Sequence, residues 1–115
     1  LVRYQPCDDV MFKLRRWFEF LYQRYTRGFD GSELWSLDHT IADFILPRLI
    51  AFKDSQVGYP RDLTEKKWDT ILDKMIYAFE VKSREYSDNE PTEKDWEKYD
   101  EGMALFAKHF GSLWI

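Results

Sequence analysis

Few residues in this chain have the type and spacing that chemistry requires. His39 and Asp43 stand four apart, a spacing that sets two metal ligands on one helix face, but two ligands fall short of the three or four a zinc site needs. His109 is distant from both, and Cys7 has no histidine near it in sequence to make it a nucleophile. No glycine-rich phosphate loop and no G-x-S-x-G nucleophile turn occurs. The residues therefore predict no catalytic set, no metal and no cofactor, and a non-enzymatic protein. Asp38 is the one acid that helical spacing drops into an apolar stripe. There it must accept backbone N–H bonds in a first helical turn or meet a buried cation.

Two binding chemistries have more support. Arg15, Arg16, Arg24 and Arg27 interleave with aromatic residues in the first helical stretch, the mixture that neutralises phosphates and stacks bases. Phe12 and Phe20 fall off that helix's main apolar face. Trp35, Leu46 and Ile50 form a second apolar patch further on. Unless helix packing consumes them, Phe12, Phe20, Trp35, Leu46 and Ile50 are the expected protein-binding surface, for a different partner or for self-association into a homo-oligomer. Nucleic acid is the weaker expectation, because the chain carries a net charge of −4.

Composition bounds both readings. A chain of 115 residues fits one domain, residues 1–115, with a single core. Aromatics at 18% and charged residues at 33% argue for a folded chain. Residues 1–28 hold six Lys/Arg against three acids, while residues 62–115 hold eight against thirteen, so a basic start precedes an acidic end. One cysteine excludes an internal disulfide framework and suits a reducing compartment. No apolar run approaches the roughly 18 residues of a membrane span, so no membrane partner is expected.

The elements that must position these residues follow from periodicity. Residues 1–7, with Pro6, read as an extended N-terminal segment, and Asp8 or Asp9 as the cap of a helix over 9–27 that ends at Gly28. Val10, Met11, Leu14, Trp17, Phe18, Leu21, Tyr22 and Tyr25 share one broad face of it, which predicts core. Ser32 or Ser36 caps a second helix over 36–53, kinked at Pro47, whose main stripe runs Leu34, Leu37, Ile41, Phe44, Ile45, Leu49 and Phe52. Being apolar around so much of its circumference, it is the expected hub. Thr64 and Thr92 open helices over 65–85 and 93–110 with similar start signals, T-E-K-K-W-D and T-E-K-D-W-E. Gly102 would let a neighbouring helix approach closely, and Gly111 would end the fourth. With no alternating β-branched run, the expectation is an all-α compact bundle of about four helices.

Beyond this, F-L-Y-Q-R-Y-T-R-G-F-D at 20–30, L-W-S-L-D-H-T-I-A-D-F-I-L-P-R-L-I-A-F-K at 34–53, G-Y-P at 58–60, L-T-E-K-K-W-D-T-I-L-D-K-M-I-Y-A-F-E at 63–80 and E-G-M-A-L-F-A-K-H-F-G-S-L-W at 101–114 resemble a family of small uncharacterised tailed-bacteriophage proteins. The resemblance covers most of the chain from about Trp17. It implies a phage origin and the cytoplasm of an infected bacterial host cell, and no activity. In that setting an interaction module would bind a host or phage protein, including a host-defence complex. A virion or assembly component is a further alternative.

Overall fold

The computed structural model describes residues 6–55 and 58–114, with side chains described from residue 10 onward. The fold is all-α. Four α-helices, α1 (Pro6–Arg27), α2 (Leu37–Asp54), α3 (Glu65–Arg84) and α4 (Glu93–His109), are joined by loops that include a 3-10 turn at Gly31–Leu34, and a second 3-10 turn, Phe110–Ser112, follows α4. No strand occurs among the described residues. The chain divides into two compact units, Leu1–Thr40 and Ile41–Ile115.

In the first unit, α1 begins earlier than the sequence suggests. Pro6 and Cys7 are helical rather than extended, because proline suits the first turn of a helix, where its missing N–H has no partner to lose. Asp8 and Asp9 consequently lie inside the helix and are not its cap; residues 1–5 lie outside the described residues. Gly28 ends α1 at φ +85°, and its N–H donates to the Arg24 carbonyl at 3.0 Å.

The larger correction concerns which face of α1 is covered. The stripe from Val10 to Tyr25 is not core: its members are between 44% exposed (Leu21) and 90% exposed (Tyr25). The opposite side, with Arg16, Phe20 and Gln23, is half-buried instead. Gln23 Oε1 accepts from the Gly31 N–H at 2.6 Å, tying the turn to α1. That turn is capped by Asp30, which is buried. Its carboxylate accepts from the Ser32 N–H at 2.9 Å, while its own N–H donates to Glu33 Oε2 at 2.6 Å.

In the second unit the core cluster is Ala42, Leu49, Trp68, Leu72, Met75 and Phe79. The expected hub, α2, supplies only Ala42 and Leu49, whereas α3 buries Trp68, Leu72, Met75, Ala78, Phe79 and Val81. On α2 the inward line is Ala42, Ile45, Leu46, Leu49 and Phe52, at helical spacing. Ile41 and Phe44, expected in the stripe, are 46% and 57% exposed, and in the first unit Leu34 and Leu37 are exposed as well. Pro47 does not divide α2 into two helices. Beside it, the Arg48 guanidinium donates to the Phe44 carbonyl at 2.9 Å and lies 3.6 Å from the Phe44 ring centre. A Lys53–Asp73 ion pair links α2 to α3, and this hydrogen bond holds the Lys53 pKa above its ordinary value.

α3 and α4 start as their sequences indicate. Thr64 accepts from the Lys67 N–H, and Thr92 forms a capping box with Asp95. Gly102, buried on α4, meets α3 so closely that a Cβ there would lie 2.4 Å from the Lys74 carbonyl oxygen and 2.5 Å from the Ala78 Cβ. Around this contact Phe79 meets Phe106 edge to face at 5.0 Å, and Trp68 meets His109 at 5.7 Å. His109 is thus a packing residue. At the chain's end Leu113 packs against the core and Trp114 is exposed.

Candidate functional site

Within the first unit the polar side of α1 and the capped turn build a small aromatic enclosure. The Arg16 guanidinium lies 4.5 Å from the Trp35 ring centre, 5.4 Å from Phe20 and 5.7 Å from Phe12. Each of these is within cation–π range, which contributes roughly 0.5–1 kcal/mol per exposed contact. Phe20 and Trp35 meet edge to face at 5.8 Å. The spacing is helical: Phe12, Arg16 and Phe20 are four apart and therefore stack along one line of α1. Trp35 reaches that line because the Asp30 capping box and the Gln23–Gly31 bond hold the turn against the helix.

These side chains border an open groove of about 520 Å³, with Arg15, Glu19 and Gln23 along its α1 side. Phe12 is 59% and Trp35 64% exposed, and Phe20 is half-buried. Among the described residues no hydrogen bond uses the Arg16 guanidinium, so its N–H donors remain for a ligand while its face rests on rings. The groove offers two cations, one carboxylate and three aromatic surfaces.

The sequence-predicted residues separate accordingly. Phe12, Phe20 and Trp35 come together. Leu46 and Ile50 belong to the other unit, where Leu46 packs against the core cluster and only Ile50, at 44%, is exposed. Of the four arginines, Arg15 and Arg16 line the groove. Arg24 instead pairs with Asp30 at 3.4 Å, and Arg27 donates to the Phe29 carbonyl at 3.2 Å with its guanidinium 4.3 Å from that ring. Both hold the turn at the end of α1. The hydrogen bond from the Ser32 hydroxyl, more than Arg24, holds the Asp30 carboxyl below its ordinary pKa. Asp38 is exposed and accepts from the His39 N–H at 2.9 Å, so the costly buried acid does not arise.

One polar junction escaped the sequence reading. The Tyr77 hydroxyl on α3 donates to Asp95 Oδ1 at 2.6 Å, Asp95 Oδ2 accepts from the Thr92 N–H at 3.0 Å, and Arg84 stands 3.6 Å away. The Tyr77 hydrogen bond, then the Thr92 bonds and Arg84, bring the Asp95 carboxyl down to about 2. The T-E-K-D-W-E run at 92–97 disclosed the Thr92 cap, but neither the share of Asp95 in it nor Tyr77, eighteen residues before Asp95. No helix among the described residues is long and apolar enough to cross a membrane. No protein-family model, curated protein or solved structure matches the chain.

Proposed function

We propose that the chain is a non-enzymatic interaction module that binds a protein through the Phe12–Phe20–Trp35 groove. The observation that carries this reading is an Arg16 guanidinium seated on three aromatic rings in an open groove, with its N–H donors unengaged among the described residues. Aromatic and arginine side chains are the types that dominate binding energy at protein interfaces. The partner chemistry that fits is a surface segment presenting a carboxylate to Arg15 and Arg16 beside an apolar side chain for Trp35 and Phe12. On the phage resemblance, that partner is a protein of the infected host or of the phage, met in the host cytoplasm.

Nucleic-acid binding is the second reading, favoured by the same cation and ring mixture. It is weakened because Arg24 and Arg27 are engaged with Asp30 and Phe29, which leaves two of the four arginines at the groove. Affinity capture from infected cells, with the wild-type chain and Trp35→Ala run in parallel, separates the outcomes. A protein retained by the wild type and lost with the variant supports the reading; equal retention by both refutes it. Retention of nucleic acid that falls steeply as salt rises would establish the second reading instead.

A further inference from the structure

The groove also holds a carboxylate that takes no part in gripping an acid. Glu19 lines it together with Arg15 and Arg16, is exposed, and has no ion pair or hydrogen bond among the described residues. Both arginines stand where a helix could pair them with it, Arg16 three residues before and Arg15 four. Arg16 instead rests on the Phe12, Phe20 and Trp35 rings, and a base that precedes its acid by four residues is the less favourable order for a helical pair. Opposite charges therefore stand in one groove without neutralising each other. We infer that the partner segment completes both: besides its carboxylate for Arg15 and Arg16 and its apolar side chain for Trp35 and Phe12, it presents a basic side chain, Lys or Arg, to Glu19. The inference rests on the groove being the binding site, and it gives the charge pattern of what binds there.

Helix geometry orders the pattern. At a rise of about 1.5 Å per residue, Glu19 lies about 4.5 Å further along the α1 axis than Arg16 and about 6 Å further than Arg15. The partner's acid accordingly faces the start of α1 and its base the end. Residues three or four apart on a helix stand about 5–6 Å from each other, and residues two apart on a strand about 6.6 Å, so one face of either element supplies the pair. Nucleic acid matches the pattern less well: its phosphates suit Arg15 and Arg16, but its backbone brings no cation to Glu19, which repels each phosphate near it. A purely acidic segment is disfavoured in the same way, because a second carboxylate beside the first would meet Glu19.

An array of short synthetic peptides tests the inference. Each peptide holds one Glu, one Trp and one Lys in a Gly/Ser background, with every spacing of the three represented, beside matched peptides in which Gln or a second Glu replaces the Lys. For the best-bound sequences, wild type should lose roughly two- to fivefold in affinity when Gln replaces the Lys, the size of one exposed ion pair. Glu19→Gln should bind the Lys and Gln versions equally, and Glu19→Lys should prefer the version with a second Glu. Glu19 has no contact of these kinds within the described chain, so neither variant removes one. A wild type indifferent to the Lys overturns the inference, as does a preference for it that survives Glu19→Gln, or a wild type that binds none of the peptides. Trp35→Ala, run on the same array, separates the two levels. If it binds as wild type does, the groove reading itself fails. Binding that needs Trp35 and the Glu but ignores the Lys sinks the charge pattern alone.

Discussion

Replacing Gly102 with alanine sets two effects of known size against each other. Alanine is the better helix former by about 1 kcal/mol, so an exposed site would gain stability. Gly102 is buried, however, and its new Cβ would lie 2.4 Å from the Lys74 carbonyl oxygen and 2.5 Å from the Ala78 Cβ. Ordinary carbon contacts sit near 3.5–4.0 Å, so α4 must retreat from α3 by about 1 Å. A backbone carbonyl and an alanine Cβ, neither able to rotate away, leave no flexible side chain to absorb that shift. A gap of that size forfeits a quarter to a half of the dispersion energy of the atoms lining it, including those of Leu72, Met75, Phe79 and Phe106. With overpacking at about 1–3 kcal/mol plus the loosened contacts, less the helix gain, the net loss should be about 2 kcal/mol. For a chain of this length that lowers the melting temperature by about 8 °C. Thermal unfolding followed by circular dichroism, with urea midpoints at unchanged slope, reads it directly. Gly111→Ala is the control, since nothing lies within 4 Å of a Cβ there. A Gly102→Ala chain as stable as wild type, or more so, would refute the close-approach argument.

Asp95, held at about 2, contributes stability that is fully present above its unfolded pKa near 3.8 and is lost as pH falls towards 2. The urea midpoint of wild type should therefore converge on that of Asp95→Asn between about pH 4 and pH 2, the difference being constant above about pH 5. Leu72→Ala, at a fully buried site, should cost about 2–5 kcal/mol in urea unfolding, and a smaller cost would mean that α3 is not the centre of its core. Gly28→Ala forces a Cβ into a left-handed conformation at φ +85° and should cost about 1–2 kcal/mol, read from thermal unfolding.

Helix positions were legible because they rest on local chemistry. Threonine caps, the glycine after α1 and the apolar period all act within a few residues, and α3 and α4 begin where those signals stand. The need for Gly102 could also be foreseen, since a glycine inside an apolar helical face implies close approach. The groove was half legible: Phe12 and Phe20 stood off the apolar face, but Arg16 between them read as a phosphate contact. Its seat on Trp35 depends on a turn folding back through Asp30 and Gln23.

What the sequence by itself determined is the all-α class, the helix register and the list of faces apolar enough to be buried. Which of those faces is buried was decided only by tertiary structure. α1 and α2 are each apolar on more than one side, so their periodicity has several solutions of similar hydrophobic value. On α2 the small Ala42 turns inward and Phe44 stays out. On α1 the aromatic stripe stays open while the side bearing a charge meets the turn. Burial belongs to a pair of surfaces, and a single helix sequence specifies one of them.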